Sequence, residues 1–145
     1  TVMDILKGRK VINKRGDVIK ADEILRETDV LGYFFSAHWC PPCRKFTPVL
    51  RDFHKELKHC QVPFEIIFVS LDRSPEDMMK YMHESHGNWY AVPWSDSLGK
   101  SLQDQYSVNG IPSLIVVKKN GKIVSRDGRG EVQRLGAQIF KVWNR

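Results

Sequence analysis

Two short, almost wholly apolar runs constrain the fold of this chain more than any other feature of its sequence. They cover residues 30–36 (VLGYFFS) and 64–71 (FEIIFVSL). A strand of such composition has to be covered on both faces, as in a sheet with helices packed on each side. The two runs therefore predict two buried strands of a helix-covered sheet.

Helical periodicity separates and follows these runs. Residues 41–59 carry apolar side chains at three- and four-residue steps and contain Pro48, so they predict an amphipathic helix kinked at Pro48. Its apolar stripe consists of Phe46, Val49, Leu50, Phe53 and Leu57. Further helices are predicted over 21–27, 75–86, 98–106 and 130–143, the last with Val132, Leu135, Ile139 and Val142 on one side.

Short strands complete the predicted sheet. Residues 11–19 are typical of a small hairpin, and a third strand is predicted over 113–119, from which Asn120-Gly121 turns the chain into 122–125. Residues 92–94 are predicted as a loop or short edge strand. We therefore expect a three-layer α/β fold with a mixed central sheet flanked by helices and a short N-terminal hairpin.

Length and composition limit the class of protein. With 145 residues, we expect 1–145 to form a single domain. No apolar run approaches the about 20 residues that span a bilayer, and the start lacks a signal-peptide core. Three cysteines are too few, and odd in number, for a disulfide-stapled secreted scaffold. These features predict no membrane contact and a cytoplasmic location, with the nucleus as the alternative.

The net charge of +6 is unevenly distributed. Basic side chains concentrate in residues 1–20 and 118–145, whereas 21–117 carries more acids than bases. A basic chain raises the question of a nucleic-acid partner, but it has no Lys/Arg-rich run with interleaved aromatic residues and no zinc-finger spacing. We therefore expect a solvated basic face and no nucleic acid.

The segment Trp39-Cys40-Pro41-Pro42-Cys43 places two cysteines three residues apart where a strand gives way to a helix. Residues three apart share a helix face, so the two sulfurs can meet. A disulfide there would close a tiny loop and add little stability, which favours a chemical role. Cys40 would stand at the helix N-terminus, where the dipole stabilises a thiolate, and Cys43 would be less exposed and protonated.

These positions predict thiol–disulfide exchange in two steps. Cys40 attacks a substrate disulfide and forms a mixed disulfide, and Cys43 then attacks Cys40 and releases the reduced substrate. Pro41 and Pro42 remove two backbone donors and stiffen the loop.

A Cys-x-x-Cys pair has two other interpretations. The first is half of a zinc site, for which His59-Cys60 is the only close candidate, more than about 20 Å away along the helix. The second is a pair of buried structural cysteines. We expect Cys60 to be a free, partly buried thiol and Asp72 to serve a turn, and we place Trp89 and Trp94 in the core.

Several motifs resemble those of the thioredoxin fold, and more narrowly those of its tryparedoxin/nucleoredoxin branch. They are Ser36-Ala37-His38-Trp39-Cys40-Pro41-Pro42-Cys43-Arg44, Ile111-Pro112, Phe46-Thr47-Pro48, Phe68-Val69-Ser70-Leu71-Asp72, Ala91-Val92-Pro93-Trp94 and Asn120-Gly121-Lys122. The resemblance covers residues 10–143, and vertebrate nucleoredoxin-like proteins are the nearest comparison.

The resemblance implies a thioredoxin-like domain in which Cys40 is the nucleophile and Cys43 the resolving thiol. It implies a cis bond before Pro112, which would face the disulfide, and backbone hydrogen bonds from Ile111 to a bound peptide.

The same resemblance assigns the substrate-facing surface to Trp39, Pro41 and Pro42. His38 and Arg44 are candidate modulators, because a positive charge there would favour the Cys40 thiolate. We expect no metal ligand in this set.

The chain departs from the family pattern at two positions. Many thioredoxins carry a buried Asp under the cysteines as proton acceptor, and Phe34 takes that place here. Tryparedoxins tend to have Trp where this chain has Leu71. The first departure leaves open the path by which Cys43 loses its proton.

The resemblance therefore implies an enzyme, a protein-disulfide reductase without a cofactor other than the Cys40–Cys43 disulfide. Its partners would be protein disulfide substrates and an upstream reductant, namely thioredoxin reductase, glutathione or another dithiol. Two alternatives remain: a redox-sensing binding module whose Cys40–Cys43 state controls a partner, and an exported thioredoxin of the TlpA/ResA type.

Overall fold

A seven-stranded mixed sheet organises residues 5–145, the part of the chain that the computed structural model describes. Residues 1–4, part of the predicted domain and of the start examined for a signal peptide, lie outside the described residues. The strands are β1 (Lys10–Asn13), β2 (Val18–Lys20), β3 (Val30–Ser36), β4 (Phe64–Ser70), β5 (Tyr90–Ala91), β6 (Ser113–Lys118) and β7 (Ile123–Ser125). Their order across the sheet is β2-β1-β5-β4-β3-β6-β7.

Helices cover both faces of this sheet. They are α1 (Ala21–Leu25), α2 (Pro41–His59), α3 (Pro75–Ser85), α4 (Leu98–Gln105), α5 (Gly128–Leu135) and α6 (Ile139–Trp143). None of the helices among residues 5–145 is long and apolar enough to cross a membrane. The predicted α/β class, with its mixed helix-flanked sheet and N-terminal hairpin, is confirmed.

The central strands β3 and β4 are buried on both faces, as their composition predicts. They pair in parallel from Val30 opposite Phe64 to Ser36 opposite Ser70, and β3 pairs antiparallel with β6 on its other side. Alternate side chains enter two separate cores. Phe34 packs with α2, α3, α5 and α6 on one face, whereas Tyr33 packs with α1 and α4 on the other.

The longest helix, α2, carries the predicted cysteine motif at its start. Pro41 and Pro42 occupy its first two positions, where a missing N–H costs no hydrogen bond. The helix runs through Pro48 without a break, and the kink predicted there stays a prediction. Val49 of the predicted apolar stripe is 40% exposed, so that stripe is narrower than its spacing indicates.

The C-terminal segment differs from the single helix predicted over 130–143. Helix α5 ends at Leu135, and a short 3-10 turn at Gly136–Gln138 precedes α6. The break falls at Gly136, whose φ of +60° lies in the left-handed region that glycine tolerates.

This break changes which side chains of the C-terminal segment are buried. Val132 and Ile139 remain buried as predicted, Leu135 and Val142 are exposed, and Phe140 and Trp143 are buried.

Smaller differences concern element boundaries. Residues 92–94, predicted as a loop or short edge strand, form a loop, and the two-residue strand β5 lies just before them, between β1 and β4. Helix α1 stops at Leu25, two residues before the predicted end. Both elements are too short for sequence periodicity to define them.

Candidate active site

Cys40 and Cys43 lie where β3 passes through a short loop into α2. Cys40 is the N-cap residue, in an extended conformation, and Cys43 lies in the first turn. Cys40 is only 5% exposed and Cys43 is fully buried, and both pack against Ala37, Leu71 and Ile111. The thiol nearer solvent is therefore the one at the positive end of the helix dipole.

The surroundings of Cys43 keep its thiol protonated. Burial, followed by the neighbouring Cys40 thiol, raises the pKa of Cys43 to about 11. The Ser36 hydroxyl and the backbone of Ala37 act in the opposite direction. At neutral pH, the Cys43 side chain is therefore a protonated thiol, as its position in the motif predicts.

The loop before β6 forms the other wall of the site. The Ile111–Pro112 peptide bond is cis. The Ile111 carbonyl oxygen lies 3.8 Å from the Cys40 sulfur, and Ile111 itself is half-buried. The backbone of this loop is thus directly beside the more exposed cysteine.

Asp72 holds the loop that leads into the cysteines. One carboxylate oxygen accepts a hydrogen bond from the His38 amide at 2.7 Å, and the other accepts from the Ser70 hydroxyl, also at 2.7 Å. Asp72 is buried. The predicted turn role is therefore too narrow, because the carboxylate ties the end of β4 to the cysteine loop.

Two exposed tryptophans form a surface beside Cys40. Trp39 and Trp94 are 46% and 42% exposed, and their indole N–H groups donate to the carbonyls of Leu71 and Asp72. The Arg73 guanidinium lies 5.4 Å from the ring centre of Trp39. Both rings line a cavity of about 360 Å³. Trp94 is thus not in the core, unlike the fully buried Trp89.

The other predicted residues surround the same loop. Pro41 and Pro42 are exposed beside Cys40. Arg44 donates to the His38 carbonyl at 2.7 Å, and His38 lies 3.4 Å from the Glu84 carboxylate. The contacts of His38 and Arg44 thus hold the loop, and their predicted influence on Cys40 stays a prediction.

Sequence reasoning missed three hydroxyl groups beneath the cysteines. Ser36 ends β3, Thr47 lies in α2 and Tyr81 in α3, and all three are fully buried. Their hydrogen bonds join segments up to 45 residues apart. The signals in the sequence were a Ser at the end of an otherwise apolar run and the presence of Ser36 and Thr47 in the quoted motifs.

Cys60 caps the far end of α2 and is exposed, which corrects the partly buried position predicted for it. Among residues 5–145, no group of three or more His, Cys, Asp or Glu side chains is placed to hold a metal ion.

Comparison with known proteins gives a consistent set of relatives. A family model described as Thioredoxin-like matches residues 28–123. Nucleoredoxin of Mus musculus is 47% identical over 103 residues, 70% of this chain. Thioredoxin related protein 16 of Carcinoscorpius rotundicauda aligns with a TM-score of 0.84 and 48% identity, covering 97% of this chain and 98% of that one.

A tryparedoxin II structure, complexed with glutathionylspermidine, aligns with a TM-score of 0.81 and 28% identity over 93% of each chain. The match covers only part of the curated relatives. The chain spans 23% of the mouse nucleoredoxin and 30% of the Danio rerio nucleoredoxin.

Proposed function

Because the chain belongs to the thioredoxin-like family, we propose that it reduces protein disulfides through the Cys40–Cys43 dithiol. Membership confirms the predicted resemblance, and nucleoredoxins and tryparedoxins are among the relatives. The observation that carries the proposal is the unequal placement of the two thiols: Cys40 at the N-terminus of α2, and Cys43 buried one turn further with a raised pKa.

The first step is an attack by Cys40 on a substrate disulfide. Its sulfur lies at the N-terminus of α2 and is the one nearer solvent. A new bond forms between Cys40 and one substrate sulfur, and the other substrate sulfur leaves as a thiolate and takes a proton. The backbone of Ile111, beside Cys40, offers hydrogen bonds to the substrate chain.

The second step is resolution by Cys43. Its sulfur bonds to Cys40, the bond between Cys40 and the substrate breaks, and the remaining substrate sulfur leaves reduced and takes the Cys43 proton. The two cysteines end as a disulfide. An upstream reductant must then supply two electrons to this disulfide, and we propose as the donor thioredoxin reductase, two molecules of glutathione, or a dithiol.

The proposal includes a substrate surface and a location. Trp39, Pro41 and Pro42 would face the substrate, supported by their exposure beside Cys40. The reaction needs no cofactor other than the dithiol itself. A cytoplasmic or nuclear location, which sequence composition favours, is tested by fractionating cells and blotting for the protein.

The direct test is reduction of insulin disulfides with dithiothreitol as the electron source. We expect Cys40→Ser to reduce the rate at least about 100-fold, because the attacking sulfur is lost. Cys60→Ser is the matched control, since Cys60 is an exposed thiol at the opposite end of α2, and its rate should equal that of the unmodified chain. Equal rates for Cys40→Ser and Cys60→Ser would overturn the proposal.

The reduction potential decides the direction of the reaction. Thiol trapping in glutathione buffers should give a reversible two-electron couple between about −230 and −270 mV, the range of cytosolic reductants. A value near about −120 mV would instead indicate an oxidant that forms disulfides.

A second candidate function is a redox-dependent binding module. It is favoured by the similarity to the Carcinoscorpius protein, which is described as having a role in regulating the activity of the transcription factor NF-kB. In that case the Cys40→Ser variant would not reduce insulin but would still bind its partner. Its binding would be locked in one redox mode and would not differ between oxidising and reducing conditions. Pull-down under oxidising and reducing conditions separates the two functions.

A further inference from the structure

Another cavity, of about 400 Å³, lies beside the C-terminal half of α2. It is separate from the cysteine site, because neither cysteine lines it. The first α2 residue in its wall, Arg51, is eight positions beyond Cys43 and so about 12 Å further along the helix axis. The cavity, here called the basic cavity, is lined by four basic side chains, which belong to Lys14, Arg51, Lys55 and Lys58.

The fold brings these four side chains together from two elements. Three of them share one face of α2, because positions 51, 55 and 58 are separated by four and three residues. The fourth, Lys14, directly follows strand β1 of the sheet. The acidic residues of the same part of α2, Asp52 and Glu56, do not line the cavity. Positive charge is therefore concentrated here, whereas the nearby helix acids lie outside.

One carboxylate, that of Glu65, does line the basic cavity, but its hydrogen bonds are already made. It accepts from the His54 ring at 2.8 Å and from the Ile66 amide at 3.0 Å. It also lies 2.8 Å from the Lys58 ammonium group. Glu65 therefore offsets the charge of Lys58 and leaves the other three cations uncompensated.

These three cations have unused hydrogen-bond donors. Among residues 5–145, no carboxylate forms an ion pair with Lys14, Arg51 or Lys55. Lys14 donates to the His86 carbonyl at 3.2 Å and Arg51 to the Ser85 carbonyl at 3.5 Å, so both side chains are held at the end of α3. An ammonium group has three donors and a guanidinium five, and most of them therefore remain available to a ligand.

The chemistry of the basic cavity fits a phosphorylated ligand. Lys and Arg are the side chains that bind phosphate oxygens by charge-assisted hydrogen bonds. A single phosphate monoester carries at most about two negative charges at pH 7, fewer than three cations can balance. The volume falls within the about 300–1,000 Å³ of small-molecule sites, and the half-buried Tyr90 adds an aromatic side chain to the wall.

We propose that the basic cavity binds a small organic molecule that carries two linked phosphate groups, of the nucleoside diphosphate type. The phosphates lie against Lys14, Arg51 and Lys55, and the organic part lies beside Tyr90. Because the basic cavity contains neither cysteine, this binding is a second property of the chain and does not depend on the proposed disulfide reduction.

The test is an NMR titration of the full ¹⁵N-labelled chain with ADP at low ionic strength. The amide signals of Gly87 and Asn88, which line the cavity, should shift and saturate. AMP has the same organic part with one phosphate, so it should bind at least about fivefold more weakly. Absence of shifts at Gly87 and Asn88 would overturn the proposal, and equal affinities for ADP and AMP would overturn the requirement for two phosphates.

A pair of double variants separates this site from general charge attraction. Arg51→Gln with Lys55→Gln should weaken ADP binding at least about tenfold, because two charge-assisted contacts are lost. Lys119→Gln with Lys122→Gln is the matched control, since it removes the same charge from exposed positions between β6 and β7. Its affinity should stay within about twofold of that of the unmodified chain, because distant surface charges are screened.

Equal weakening by the two double variants would overturn the proposal, because binding would then follow net charge alone. Tighter binding of a short single-stranded oligonucleotide than of ADP would also overturn it, since the ligand would then be a nucleic acid. Lys55→Gln alone, at an exposed side chain, should weaken ADP binding about threefold and provides the test if the double variant does not fold. The titration uses neither cysteine, so a failure of insulin reduction would leave its result unaffected.

Discussion

At the scale of single residues, Asp72 shows how one buried carboxylate holds a reactive loop. It accepts from the His38 amide and from the Ser70 hydroxyl, and so connects β4 to the residues before Cys40. Hydrogen bonds to charged acceptors contribute more than neutral ones. We therefore expect loss of the Asp72 carboxylate to displace the cysteine loop, and so to slow the proposed reaction, while the protein remains folded.

We predict that Asp72→Ala reduces the rate of insulin reduction about tenfold, because the cysteine loop loses its anchor. Asp104→Ala is the control, since Asp104 is an exposed partner of Lys100 on α4. An Asp72→Ala rate equal to that of Asp104→Ala would show that the loop holds its position without the carboxylate.

His86 makes stability depend on pH. Burial lowers the pKa of His86 to about 3, and its Nδ1 accepts from the Trp89 indole at 3.0 Å. The unfolded chain binds this proton at about pH 6.5, whereas the folded chain does not until about pH 3. Its contribution is therefore complete above about pH 6.5 and is lost progressively as the pH falls toward 3.

We predict that His86→Asn, which keeps an acceptor for Trp89 and does not titrate, flattens this dependence. Urea unfolding at several pH values should show the unmodified chain losing about 1.4 kcal/mol per pH unit more than the variant below about pH 6. Parallel curves for the two proteins would show that His86 binds its proton equally well in the folded and the unfolded chain.

At the scale of elements, α3 illustrates which signals a sequence carries. Ser74 accepts from the Asp77 amide, Pro75 begins the helix, and both roles are predicted by residue type. The carbonyls at the C-terminal end accept hydrogen bonds from side chains that are distant in sequence: Lys14 donates to the His86 carbonyl and Arg51 to the Ser85 carbonyl. Those contacts depend on the fold and have no local signature.

We predict that Ser74→Ala lowers the free energy of unfolding by about 1 kcal/mol, because the helix loses its side-chain cap. Ser97→Ala is the matched control, since Ser97 occupies the same position before α4 and makes no capping hydrogen bond. Equal losses for the two variants would mean that the Ser74 hydroxyl does not cap α3.

The elements also show where prediction from sequence ends. Strands β3 and β4 and helix α2 are long and strongly patterned, so their type and approximate limits follow from the chain. The break at Gly136 does not, because an isolated glycine is compatible with a continuous helix. The site divides in the same way: the cysteine motif is local, whereas the Ser36–Tyr81 contact joins residues 45 positions apart.

At the scale of the whole molecule, a buried ionic cluster joins α2 to the sheet. Glu65 of β4 accepts from His54 at 2.8 Å and is 2.8 Å from the Lys58 ammonium group. Burial opposes its ionisation, yet hydrogen bonds and charges from His54 and Lys58 hold the pKa of Glu65 below its ordinary value. This stabilisation is present above about pH 4.3 and is lost as the pH falls through the folded-state pKa.

We predict that Glu65→Gln lowers the free energy of unfolding at pH 7 by about 2 kcal/mol, because buried His54 and the Ile66 amide lose a charged hydrogen-bond acceptor. The difference from the unmodified chain should shrink below about pH 4, where Glu65 itself becomes neutral. Glu56→Gln, an exposed change on α2, should leave stability unchanged. A constant Glu65→Gln difference at all pH values would exclude an ionised Glu65.

The position of β3 has a consequence for how the molecule fluctuates. All seven of its residues are buried, and it is paired with β4 and β6 on its two sides. Amides in such a strand exchange with deuterium only when the whole domain opens. Ser36, its last residue, lies four positions before Cys40, so we expect the Cys40 sulfur to be attached to a slowly exchanging part of the chain. A substrate of the proposed reaction would therefore meet a rigid platform and would itself have to adapt its shape to it.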